Sequence, residues 1–236
     1  MIDVFLIATL AIITWCVASE GAWGAALILL SVVLSGLLAM NFFEPIAIFL
    51  EDNISNSNSW RYRWDFIALV GSFAAFVFLI RMVTEHLSPT YIQVQPLVHE
   101  LVRWGSGFLT GYITMTFLLT ALHTAPLPRE FMGFSSEPIR RTGPLSSMAP
   151  DFQWLGFTQY VSENILVQPN SAGTGRVFDG PQFSLPPNQP EKIKLWPSFP
   201  IRYAFRREEF EKGGGTLATN QTVIQPVRKT PASKDF

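Results

Sequence analysis

Charged residues are scarce in this chain. Asp, Glu, Lys and Arg make up 15% of its 236 residues, whereas a soluble domain usually carries about a quarter. The scarcity is uneven, because long uncharged stretches fill the first half and every lysine lies after residue 125. This distribution indicates a membrane part followed by a part that faces water.

An excess of basic residues is also missing. The chain has 17 Lys and Arg against 18 Asp and Glu, which gives a formal net charge of −1. Nucleic-acid binding depends on many cationic side chains that neutralise phosphates. We therefore expect no nucleic-acid partner.

Cysteine and histidine are too few to build common reactive sites. The single cysteine, Cys16, has no partner for an internal disulfide, and we interpret it as a small apolar packing residue. The three histidines cluster around the third and fourth apolar stretches, and no Ser/His/Asp set is legible. His86 and His99 lack further ligands at the spacing of a zinc site. The sequence thus predicts no enzyme, no metal and no cofactor.

Four apolar stretches are long enough to cross a bilayer, whose core of about 30 Å needs about 20 apolar residues in a helix. They predict transmembrane helices at residues 2–19, 21–43, 66–83 and 104–125. The first is not interpreted as a cleaved signal peptide, because it lacks a basic segment and leads directly into the second. The short link at Glu20 predicts one hairpin, and a polar link at 51–65 separates it from a second hairpin. We therefore predict an all-α membrane domain over residues 1–125.

Glu44, Arg81 and His123 are the candidate functional residues of this domain. Ionisable groups at membrane depth are costly, so each is a functional hypothesis by default. The alternative is that each lies within a turn or two of water, where long side chains reach the interface. The middles of all four stretches contain no charge, which argues against a charge-lined path. A pore lined by threonines of the fourth stretch in an oligomer stays open as an alternative.

Small residues in the fourth stretch indicate close helix packing. Gly107 and Gly111 form a GxxxG pattern, which lets two helix backbones approach each other in lipid. We interpret the pattern as packing within the bundle. The alternative is a face for self-association, which would make the protein a homo-oligomer.

The composition changes after residue 125, where 14 of the 17 prolines lie. We predict a Pro-rich, partly helical extramembrane region at 126–212, with a helix near 151–166 that Asp151 caps. Its apolar face would pack on its own chain, lie in the interface or bind another protein. Residues 199–212 are ambiguous, because Ile201, Tyr203 and Phe205 alternate as in a strand, but the charged run before three glycines favours a second helix. The polar tail at 213–236 is predicted to be disordered.

Several landmarks in residues 1–125 resemble the colicin V production protein family of bacterial inner-membrane proteins. They are Asp3 before the first apolar run, the turn Glu20-Gly-Ala-Trp-Gly24, the stretch from Asp65-Phe66 to Arg81, the link Pro96-Leu97, and Trp104-Gly105 with Gly107 and Gly111. The resemblance implies a multi-pass protein connected with toxin production or export and with envelope homeostasis. It implies no catalytic residues. Relatives usually carry basic residues in the first turn, whereas this chain has Glu20.

The leading interpretation is a non-enzymatic membrane protein of the colicin V production type that acts as an assembly or scaffold factor. Its expected partners are the lipid bilayer and proteins of the membrane or envelope. The alternative is a small oligomeric transporter or channel. Arginines beside the links favour both termini inside the cell, but the family's basic turns favour both termini outside. We expect the bacterial cytoplasmic (inner) membrane with both termini outside.

Overall fold

A computed structural model describes residues 2–54, 58–87, 95–128 and 130–165, together with residues 168–169, 175–176, 178, 199–200, 203–204 and 207. This described part is mostly helical. Its four long helices are α1 (Ile2–Ser19), α2 (Gly21–Asn53), α3 (Asn58–Leu87) and α4 (Pro96–Thr124). Each is long and apolar enough to cross a membrane.

Three of the four helices extend beyond the apolar stretches that predict them. The second stretch was predicted to end at residue 43, but α2 continues through Pro45 to Asn53. Proline removes one backbone hydrogen bond, yet the apolar run after it has a buried face, which includes Ala47. The polar residues at the start of α3 and of α4 are helical as well, because the hydrogen bonds of a helix can continue past the membrane surface into water. Only α1 has the bounds expected from the sequence.

Aromatic and small side chains fill the interior of the bundle. α1 packs mainly along α4, whereas α2 packs against both α3 and α4, so the predicted pairing into two hairpins stays a prediction. Phe73 of α3 stacks on Phe117 of α4 with ring centroids 4.1 Å apart. Large apolar side chains such as Val4, Ile12 and Phe78 are more than half exposed on the outside. An apolar outer surface on helices whose backbones are internally bonded is suited to lipid.

Residues 130–165, called the cap below, follow α4 and hold four short elements before their one long helix. β1 (Glu130–Phe131) pairs with β2 (Phe134–Ser135) in an antiparallel hairpin. Its two-residue turn has positive φ at both Met132 (51°) and Gly133 (91°), as the type I′ turns of tight hairpins require. A 3₁₀ turn (Pro138–Arg140), α5 (Pro144–Ser147) and α6 (Pro150–Asn164) complete the cap.

The cap lies against the start of α1. The backbone N–H of Ile2 donates to the carbonyl of Met132 at 3.2 Å. The backbone N–H of Ser146 donates to Oδ1 of Asp3 at 3.0 Å. α1 therefore begins at the same end of the bundle at which α4 ends.

The helix predicted near 151–166 is α6, which begins at Pro150, a residue favoured in the first turn of a helix. Asp151 does not cap it, because the N-cap residue is Ala149. Farther along the chain, β3 (Gln168–Pro169) pairs with β4 (Gly175–Arg176). Most of the helix predicted over 199–212, and the whole tail at 213–236, lie outside the described residues.

Candidate functional site

Three ionisable side chains from separate parts of the chain meet where α4 joins the cap. Arg141 binds Asp151 through two hydrogen bonds, Nη1 to Oδ1 at 2.6 Å and Nη2 to Oδ2 at 2.7 Å. Nε2 of His123, in the last turn of α4, lies 2.7 Å from the same Oδ2. An ionised carboxylate only accepts hydrogen bonds, so Nε2 is the donor. These residues are called the His–Asp–Arg cluster.

The His–Asp–Arg cluster is closed to solvent. All three side chains have no exposed surface. Nε of Arg141 donates to the carbonyl of Ser135 at 2.8 Å, and its Cζ lies 4.9 Å from the ring centroid of Phe134. The ring of Phe134 also packs edge-on against His123. The two oxygens of Asp151 are thus bonded by Arg141 and His123, and such charge-assisted bonds join the elements that carry these residues.

Hydrogen bonds within the cluster determine whether Asp151 is ionised. Burial by itself raises the pKa of a carboxyl group. The hydrogen bonds from Arg141 and His123 outweigh burial and lower the pKa of Asp151 from 3.8 to about 2. Asp151 is therefore an anion at neutral pH, which balances the charge of Arg141.

The lowered pKa of Asp151 predicts how acid releases the cap. A carboxyl group with a depressed pKa in the folded state contributes stability above its unfolded value, and loses it as the pH falls through the folded value. We expect the cap to stay attached down to about pH 4 and to be released between about pH 4 and pH 2. Proteolysis of the cap with pepsin across this range measures the release. Complete release already at pH 5 would contradict the assignment.

A second arginine closes the same end of the bundle. Nε of Arg207 donates to the carbonyl of Leu127 at 3.1 Å, and Nη2 bonds the carbonyl of Pro128. The Cζ of Arg207 also lies 5.2 Å from the ring centroid of Phe134. A cation is favoured beside the carbonyl end of a helix, and α4 ends only a few residues before these carbonyls. Arg207 thus ties a distant part of the chain to the end of α4.

The three candidates from the sequence are not brought together. His123 belongs to the His–Asp–Arg cluster and is fully buried, so it does not reach water as the interfacial alternative required. Arg81 lies near the opposite end of the bundle, where it bonds Glu20 at 3.0 Å and Glu85 at 2.6 Å. Glu44 is half-buried on α2.

Gly107 and Gly111 lie against α1 of the same chain. A Cβ at Gly107 would lie 2.9 Å from the carbonyl oxygen of Thr14, and one at Gly111 would lie 2.8 Å from that of Leu10. Real Cβ atoms almost never approach so closely. In this structure the GxxxG face is therefore occupied by α1, as packing within the bundle requires.

The threonines of α4 satisfy their hydroxyl groups locally. Thr110, Thr116 and Thr120 are buried, and their hydroxyls donate to backbone carbonyls one turn earlier in α4 at 2.7 to 2.9 Å. Thr114 does the same at 2.8 Å. Hydroxyls bonded in this way are part of helix packing in a membrane.

Sequence reasoning missed two of the three members of the His–Asp–Arg cluster. Asp151 was interpreted as a helix cap, and Arg141 entered only the count of charges beside the spans. The available signal was weak: Asp151 stands alone among apolar and aromatic residues, between Pro150 and Phe152. Such a carboxylate needs a partner when it is buried, but nothing in one sequence says that the partner is ten residues earlier.

The chain matches no protein-family model, no curated protein and no solved structure. The resemblance to the colicin V production family therefore stays a prediction.

Both oxygens of the Asp151 carboxylate are bonded to Arg141 or His123, and all three side chains are fully buried. Within the described residues, no group of three or more His, Cys, Asp or Glu side chains is arranged to hold a metal ion. What the cluster does is fasten the cap to α4.

Proposed function

We propose that this chain is a non-enzymatic multi-pass membrane protein that acts as an assembly or scaffold factor. Its four-helix bundle anchors the protein in the bilayer and holds the cap in one orientation at one membrane surface. The partner-facing part is the cap together with the chain that follows it. Partners are proteins of the same membrane or envelope.

The His–Asp–Arg cluster is the observation that carries this proposal. Three buried ionisable groups join α4, the segment after the 3₁₀ turn and α6. Burial of charge is costly and is often no more stabilising than apolar packing would be. Its benefit is a unique arrangement of the joined elements, which is what a scaffold has to present to a partner.

A second candidate, a small oligomeric transporter or channel, is favoured less by the geometry. It needs polar side chains that line a path, and the sequence offered Glu44 and the α4 threonines for this role. The buried threonines instead face the interior of the bundle and bond their own helix. Glu44 is half-buried on α2, and the middles of the four apolar stretches contain no charged residue.

The resemblance to the colicin V production family adds a narrower expectation. It places the protein in a bacterial inner membrane with both termini outside, and connects it with production or export of a peptide toxin. The even number of predicted crossings, and the contact of the cap with the start of α1, support termini on one side. The toxin-related role rests on the resemblance alone.

Affinity isolation from the native membrane, with a tag after Phe236, tests the scaffold role. We expect specific membrane or envelope proteins to copurify with the wild-type chain and to be lost with Arg141→Gln, which loosens the cap. The matched control is Arg140→Gln, because Arg140 is the adjacent residue but is more than half exposed. Both variants have to insert in the membrane equally.

Recovery of the tagged chain alone would argue against the proposal. Solute flux in vesicles reconstituted from the purified protein, abolished by Glu44→Gln, would then establish the transporter instead. Partners that copurify equally with Arg141→Gln would show that the cap does not present the binding surface.

A further inference from the structure

The first half of α6 lies alongside the middle of the bundle, and not only at the end where α4 joins the cap. Gly36 is the sixteenth residue of the 33-residue helix α2. A Cβ at Gly36 would lie 2.5 Å from Cζ2 of Trp154, so the indole of this α6 residue occupies the place of a side chain there. The same indole packs edge-on against Phe117 of α4 at 6.0 Å.

A hydrogen bond between α4 and α6 also lies well before the end of α4. The hydroxyl of Tyr112 donates to Oε1 of Gln153 at 2.7 Å. Tyr112 lies twelve residues before Thr124, the last residue of α4, which is about 18 Å along a helix that rises about 1.5 Å per residue. Even when the length of both side chains is allowed for, Gln153 lies alongside the spanning part of α4.

The β1–β2 hairpin is inserted in the same way beside α1. Phe134 is fully buried in a cluster with Met115 and Leu119 of α4 and with Ile2 and Leu6 of α1. α1 has only 18 residues, about 27 Å of helix, which is shorter than the hydrocarbon core. A cap that is bonded to the first turn of so short a span lies near the lipid and not well above it.

The outer surface of the cap is rich in apolar side chains, as expected for a surface near the lipid. Exposed large apolar residues recur along the cap from the hairpin turn to the residue after α6. They are Met132, Ile139, Met148, Phe157, Tyr160 and Ile165. Ile139 is 95% exposed, although Ile is among the residues most often buried. The neighbouring Arg140 is paired with Glu137 at 2.7 Å, and arginine is tolerated beside the headgroups because its long side chain reaches water.

We propose that the cap is embedded in the interfacial layer of one leaflet, with Ile139 and the Phe157–Tyr160 face of α6 in contact with lipid. The occupant of this apolar surface is the bilayer, because the cap is bonded through the carbonyl of Met132 to Ile2, in the first turn of a helix that is apolar enough to cross the membrane. Amphipathic Tyr and apolar side chains are favoured at this depth. The inference requires that the four helices span a bilayer, and it is independent of the scaffold role.

Spin labels at single cysteines measure the depth of the cap in vesicles of purified protein. Exposed Cys16 is first replaced by Ser, and cysteines are then placed at Ile139 and Tyr160, whose exposed side chains can be changed without disturbing the core. Val4 on α1 is the lipid reference, and Asp52 at the polar end of α2 is the water reference. Oxygen concentrates in lipid, whereas a nickel chelate stays in water.

We expect the oxygen-to-nickel accessibility ratio at both cap positions to exceed that at Asp52 at least twofold and to approach that at Val4. Ratios equal to that at Asp52 would place the cap in water and overturn the inference. Protection from nickel in native membranes but not in vesicles of pure protein would assign the surface to a protein partner, and would overturn it too. Because these vesicles contain no partner, failure here leaves the scaffold role to its own test.

Discussion

Replacement of Arg141 by Met is expected to release the cap from the bundle, whereas the same change at Arg140 is expected to leave it attached. Arg141→Met leaves the buried carboxylate of Asp151 bonded to His123 but without the guanidinium that bonds both of its oxygens. Breaking one partner of a buried ion pair costs about 3–5 kcal/mol. Arg140 is an exposed member of surface pairs with Glu137 and Glu130, and such pairs contribute little.

The measurement is thermal unfolding in detergent, read by proteolysis within residues 130–165. A double variant, Arg141→Met with Asp151→Leu, serves as the control for charge, because it removes the orphaned anion together with its partner. We expect it to recover part of the lost stability. Equal melting of Arg141→Met and Arg140→Met would show that the His–Asp–Arg cluster does not hold the cap.

The second large effect is expected at the contact between α1 and α4. Gly111→Ala would place a Cβ 2.8 Å from the carbonyl oxygen of Leu10 and 2.8 Å from the hydroxyl of Thr14. The helices have to separate, because one of these atoms belongs to the backbone. Overpacking of this kind costs about 1–3 kcal/mol. Gly105→Ala is the matched control on the same helix, since a Cβ there meets nothing within 4 Å.

Both glycine substitutions raise helix propensity by about 1 kcal/mol. The difference between the melting temperatures of the two variants therefore reports the effect of packing. We expect Gly105→Ala to melt at or above the wild-type temperature and Gly111→Ala below it. Crosslinking yields of dimers should be the same in both variants, because α1 of the same chain occupies the GxxxG face. A loss of dimers only in Gly111→Ala would instead identify this face as an intermolecular contact.

The long apolar helices could be predicted from the sequence because membrane insertion depends on local composition. Long, mostly apolar runs contain the information needed, and each of the four described helices includes one. Their ends were predicted less well, as α2 shows by continuing ten residues past Phe43. Helix ends depend on where backbone bonding stops, and the composition of the lipid-facing part does not determine that.

Pairings over long separations could not be predicted. Asp3 meets the backbone of Ser146, and Trp154 meets Gly36, at separations of more than a hundred residues. No periodicity within one segment indicates which residue of another segment it will face. The sequence led to the interpretation of Gly107 and Gly111 as packing residues, but nothing in it indicated α1 as the helix that they contact.

By itself, the sequence determined that four segments of this chain are apolar and long enough for a bilayer, because the free energy of placing a segment in lipid is a property of its own residues. Only the tertiary structure decided which polar groups are buried together. The ionisation of Asp151 depends on its bonds to Arg141 and His123, and His123 is enclosed in part by Phe134. Electrostatic interactions act through space, and the folded chain sets those distances.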